Sequence, residues 1–220
     1  MRTYLKWNGT RGHFYLRAIA LAALFALTIS FCACSDGGKD ASSSEETHVL
    51  AYAGVDVAEC VSLGQYKELT VVLNEGESKA EAVWRVIYAS SEVFSYPEEQ
   101  VEYYVSQSSA RCEYYASVHD VSYEEALAAL GYDGEEALIA EAKALVFEDL
   151  VGIALRADAG IALTDEEKDN FFDKYAEKYA YDWGYNLAYV EEELSEQVYG
   201  SMLYDKTTEY LLKYNDFLES

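Results

Sequence analysis

The chain holds a single proline, Pro97, and three histidines, His13, His48 and His119. So little proline leaves long helices free to run without kinks or breaks. So little histidine removes most hydrolytic chemistry: a Ser/His/Asp or Cys/His arrangement would rest on His119 alone, and no nucleophile motif stands beside it. His119 sits at the expected end of a helix beside Asp120, where a cationic ring or cap suits the helix dipole. Glycine-rich phosphate loops and calcium loops of alternating acids are missing as well. Positive charge is also scarce. Sixteen Lys and Arg stand against 40 Asp and Glu, a formal charge of -24, which repels nucleic acid phosphate and anionic lipid headgroups. The reading is a non-enzymatic protein with no cofactor, no metal and no nucleic acid partner.

Four of those cations, Arg2, Lys6, Arg11 and Arg17, precede the apolar run Ala18 to Phe31, and no acid accompanies them. A basic segment followed by a run shorter than the roughly 20 residues of a membrane-spanning helix is the pattern of a secretory signal. The run ends in Phe31-Cys32-Ala33-Cys34-Ser35, similar to the lipobox of bacterial lipoproteins, with Phe31 in place of the usual leucine. The resemblance implies cleavage after residue 33, lipidation of Cys34 and anchoring at the outer face of the cell membrane. Removal of residues 1–33 takes the charge to -28. Residues 34–48 are small and polar, a flexible tether. Two cysteines remain beyond it, Cys60 and Cys112. They either form a disulfide, worth roughly 3 to 5 kcal/mol if the geometry allowed it, or lie buried as free thiols.

From residue 49 to 220 the pattern predicts one mainly helical domain with a small β element. Val61 to Leu73 reads as a strand or an extended pair around Gly64. Asn74 to Glu77 is a candidate cap for a short helix from Ala80 to Ser90. Capping boxes follow at Ser95/Glu98, Ser122/Glu125 and Thr164/Glu167, with Asp133 as a further cap. The first opens a helix over 96–119 with Val101, Tyr104, Val105, Ser108, Cys112 and Tyr115 inward; the second precedes a short helix ended by Gly131. Residues 134–158 are apolar around much of the circumference, with Ile139, Ala142, Val146, Leu150, Ile153 and Ala157 on one stripe, so this helix is expected to be the central spine. Gly160 ends it. The next carries Phe171, Phe172, Tyr175, Ala176 and Tyr179 inward and breaks at Asp182-Trp183-Gly184. A last helical region spans 187–214, with an interruption near Gly200.

Leu63-Gly64-Gln65-Tyr66-Lys67-Glu68-Leu69-Thr70-Val71, Tyr96-Pro97-Glu98-Glu99-Gln100-Val101, Gly160 to Glu167 and Leu203-Tyr204-Asp205-Lys206 occur in an order that resembles the C-terminal domain of bacterial trigger factor. The fold this implies is an elongated helical chaperone arm, of the kind also found in the N-domains of parvulin foldases. The family's FK506-binding-type isomerase domain is missing, because only residues 74 to 96 separate the strand-like segment from Pro97. The implied function is an ATP-independent holdase for unfolded or newly secreted polypeptides. Among the 21 tyrosines, Tyr103 and Tyr114 fall eleven residues apart on one helical face, and with Tyr181, Trp183 and Tyr185 they are the candidate client contacts. Two other classes stay open: an isomerase-associated foldase, and a surface protein with one dedicated partner.

Overall fold

The computed structural model describes Tyr52 and residues 54–219, and of Trp183 the backbone. The signal, Cys34 and the tether over 34–48 lie outside the described residues. The chain is mainly helical with two small sheets. In order come α1 (Val57–Cys60), β1 (Val61–Ser62), β2 (Thr70–Leu73), α2 (Lys79–Ser90), β3 (Glu92–Val93), α3 (Glu98–His119), α4 (Tyr123–Ala129), α5 (Glu135–Ala159), α6 (Asp165–Trp183), α7 (Leu187–Glu193), α8 (Ser195–Lys213) and β4 (Asp216–Glu219).

Capping chemistry sets most helix starts. Ser78, Ser122 and Thr164 each accept from the backbone three residues on, and Glu81, Glu125 and Glu167 reach back reciprocally. The cap of α2 is thus Ser78, not the Asn74 to Glu77 turn before it. Ser95 does not cap. Its N–H and that of Phe94 both donate to the Cys60 carbonyl, at 3.5 and 2.8 Å, so the chain stays extended and α3 begins only at Glu98, with Pro97 at the cap position. Nor does Asp133 cap, since Gly134, at φ +91°, takes that place without a side-chain bond. Gly160 and Gly184 end α5 and α6 in the left-handed conformation. The break in the last helical region falls at Leu194, not near Gly200. Leu194 is buried and leaves helical geometry at φ -119°, ψ 18°, whereas exposed Gly200 is carried within α8.

The two segments of the expected strand pair do not pair with each other. β1 runs antiparallel to β3. β2 runs parallel to β4, Thr70 opposite Asp216 and Leu73 opposite Glu219. Asn215 fixes that second pairing: its Oδ1 accepts from Leu69 N–H at 2.8 Å, and its Nδ2 donates to the Tyr66 and Leu211 carbonyls. Gly64 is required where it stands, because a Cβ there would meet Ser90 at 2.1 to 2.6 Å.

Apolar burial is divided among three clusters. The base gathers Val71, Val83, Trp84, Ile87, Val146, Leu150, Val151, Leu155 and Leu211. A first lobe buries Cys112 of α3, Ala126 and Leu127 of α4, Tyr132 and Leu138. A second lobe buries Ala176, Tyr179 and Ala180 of α6, Val190 of α7, and Leu194, Val198 and Met202. α5 runs from the first lobe into the base and α8 from the second lobe into the base, so one continuous helix ties each lobe down. α5 is the expected spine, although Ile139 (43% exposed) and Ala157 face solvent, as does Phe171 on α6 (47%). Cys60 and Cys112 are buried free thiols. The disulfide is not formed: Cys60 belongs to the base and Cys112 to the first lobe.

Candidate functional site

With cations scarce, tyrosine acts as the hydrogen-bond donor to four of the acids, Asp149, Glu141, Asp205 and Asp158. Tyr52 and Tyr104 donate to Asp149 Oδ2 at 2.9 and 2.6 Å. Tyr132 donates to Glu141 at 2.5 Å, Tyr175 to Asp205 at 2.7 Å, and Tyr66 to Asp158. Burial, and then the adjoining carboxylate, push the phenols of Tyr66, Tyr132 and Tyr175 above their ordinary range, so they keep their protons and remain donors. Nine of the eleven described cations are likewise engaged. Lys67, Lys79, Arg111, Lys143 and Lys213 lie over aromatic rings; Arg85, Lys168, Lys178 and Lys206 pair with carboxylates. The negative charge in excess is therefore left on the outer surface.

The expected client-contact residues separate. Tyr103, on α3, is 41% exposed; its ring stands edge-on to Tyr104 at 5.3 Å. Loss of water, and then the Asp149 charge, raise its phenol pKa. Burial, and then the phenols of Tyr185, Tyr103 and Tyr189, raise the phenol pKa of Tyr179 on α6. The rings of Tyr179 and Tyr185 are 6.5 Å apart and nearly parallel, and Tyr185 meets Tyr189 at 5.8 Å. Tyr179, Tyr185 and Tyr189 thus form one cluster of phenols in the second lobe, with Tyr103 as an electrostatic neighbour from the start of α3, where Val101 and Tyr104 pack on the base. Tyr114 lies on the same face of α3 as Tyr103, three turns further along, 59% exposed. Tyr181 is 88% exposed, two residues from Tyr179 and so about 200° round the helix from it. The side chain of Trp183 is outside the described residues.

No protein-family model and no curated protein matches this chain. Among the described residues no group of three or more His, Cys, Asp or Glu is placed to hold a metal ion, and none of the helices is long and apolar enough to cross a membrane. His119 occupies the last turn of α3, its ring against Tyr115 at 4.2 Å, with Asp120 left-handed after it.

Three features escaped the sequence reading. Tyr179 and Tyr189 join the phenol cluster, although Tyr179 reads as ordinary core and Tyr189 has no pattern of its own. Asp149 sits on the largely apolar spine between two tyrosines, and with Glu148 beside it nothing in the local sequence singles it out. Trp84 donates to Thr208 at 2.9 Å in the base and stacks between Tyr88 and Tyr204; burial pushes the Tyr204 phenol up to about 12. That contact joins residues 124 positions apart and carries no local signature.

Proposed function

We propose that this chain is an ATP-independent holdase, anchored through lipidated Cys34 on the outer face of the cell membrane, that shields unfolded or newly secreted polypeptides between two helical arms. The carrying observation is the division of the core. Two lobes, each with its own small apolar cluster, extend from a common base along α5 and α8, and the second carries a cluster of phenols, Tyr179, Tyr185 and Tyr189, with Tyr103 of α3 as an electrostatic neighbour. A tyrosine ring offers apolar area with a polar tip, so it can hold varied segments weakly while staying hydrated. The strong negative charge keeps neighbouring copies apart. This arrangement is the one implied by the likeness to the C-terminal domain of trigger factor, with the lobes as its arms.

The test uses the full chain in detergent micelles, mixed at equimolar amounts with chemically denatured clients, light scattering being followed without nucleotide. Suppression of aggregation across unrelated clients is expected; no suppression of any of them overturns the reading. Catalytic amounts should leave the rate of a proline-limited refolding reaction unchanged. Acceleration would assign the chain to the isomerases instead.

A further inference from the structure

The two outer edges of the β2–β4 ribbon are unequal. Asp216 N–H donates to the Leu69 carbonyl at 2.9 Å, and Asp216 stands opposite Thr70. In a parallel ladder such a residue turns both its N–H and its C=O toward the residues flanking its partner, and the next residue turns both away. Asp216 and Leu218 therefore use their backbone groups on β2, while Phe217 and Glu219 direct theirs outward. On β2 the same parity sends Val72 outward, and its carbonyl accepts from Arg85 Nη2 at 3.0 Å. Arg85 is held in place by Glu77, Nε to Oε1 at 2.7 Å, and α2 packs beside β2. That edge is closed by a guanidinium and a helix. Among the described residues β4, in contrast, pairs with β2 alone, and beside its open edge the register partners Val72 and Leu218 are 52% and 53% exposed on the outer face.

Charge selects the occupant. Asp216 and Glu219 lie on the strand itself, and Glu75 lines the cleft that Glu219 borders. Two such edges brought together from two copies would set like charges opposite one another, which opposes pairing. An extended segment in which lysine or arginine alternates with apolar residues meets all three features at once: backbone groups for Phe217 and Glu219, apolar side chains for Val72 and Leu218, and cations for the acids. We propose that the β4 edge accepts such a segment of an unfolded client as a third strand, bound main chain to main chain. The proposal rests on the client-binding reading above and adds a second contact, distant in sequence from the phenols of α3 and α6.

The probe is a fluorescein-labelled ten-residue peptide of alternating valine and lysine, its anisotropy measured with the full chain in detergent. Two further versions carry N-methyl groups on alternate backbone nitrogens, one version for each register. A strand on an edge uses the N–H groups of one side only, so one methylated version should bind about tenfold more weakly and the other like the parent. Glu219→Pro deletes an outward N–H and no bond of the β2 ladder, whereas Glu219→Gln deletes the same charge and keeps the N–H. The proline variant should be the weaker binder by several fold. Equal binding by both methylated peptides and the parent would mean that charge alone holds them, and the proposal fails. It fails equally if Glu219→Pro binds like Glu219→Gln, or if sedimentation finds a dimer that Glu219→Pro abolishes, which would assign the edge to a second copy. The client assay separates this from the parent reading: full protection by Glu219→Pro removes the edge from client binding and leaves the holdase, while no protection by the unaltered chain removes both.

Discussion

Asp149 illustrates how single residues are balanced in this protein. It lies on α5 among buried leucines and valines, and loss of water raises its carboxyl pKa above the ordinary 3.8; Tyr104, Tyr52 and Arg156 act in the opposite direction. Between that ordinary value and the raised one the folded chain holds a proton that the unfolded chain has released. The contribution of Asp149 to stability therefore falls as pH rises through this window and stays low above it. Asp149→Asn keeps an oxygen for both tyrosines and removes the charge. Urea unfolding should find the variant gaining stability relative to the parent as pH rises above 3.8, and a difference that does not change with pH would contradict this account. Tyr104→Phe leaves the carboxylate short of a donor and should cost about 1 to 3 kcal/mol at pH 7. Glu77 and Glu167 have the reverse sign. Arg85 and Lys206 respectively hold their carboxyls below the usual 4.5, so what they contribute is present above that value and is lost as pH falls through the depressed one.

Helix starts are decided by one or two hydrogen bonds, and they can be tested one at a time. Ser78→Ala, Ser122→Ala and Thr164→Ala each remove a side-chain acceptor from a complete capping box and should cost about 1 kcal/mol each in thermal or urea unfolding. Ser95→Ala should cost close to nothing, because Ser95 is drawn toward the Cys60 carbonyl at the end of the β1–β3 pair. A loss at Ser95 equal to the other three would mean that α3 begins earlier than Glu98. Local pattern worked at Ser122 and Thr164, where the partner was the glutamate three residues on. It failed at Ser95, Asp133 and Leu194, where a strand, a left-handed glycine and a buried side chain respectively took control of the backbone.

Across the whole molecule, stability should not be uniform. The base cluster draws on elements from both ends of the described chain, whereas each lobe closes over a few side chains. Leu211→Ala, at a fully buried site in the base, should cost about 2 to 5 kcal/mol and raise amide exchange everywhere. Leu127→Ala in the first lobe should raise exchange mainly in α4 and the far end of α3 while α2 and β2 keep their protection, as read by hydrogen–deuterium exchange with mass spectrometry; a uniform rise would contradict separate lobes. The amino acid order alone was enough for the helical class, the α5 spine, the Ser122 and Thr164 caps and the glycine stops, because each depends on residues within a turn or two of one another. The partner of β2 could not be read in this way. Asn215 meets Leu69 across 146 positions, Tyr52 meets Asp149 across 97, and Tyr103 of α3 is an electrostatic neighbour of Tyr179 of α6. Backbone hydrogen bonding and side-chain periodicity are local and leave their mark on a short window, whereas strand partners, phenol clusters and the division of the core are settled by which distant surfaces exclude water together.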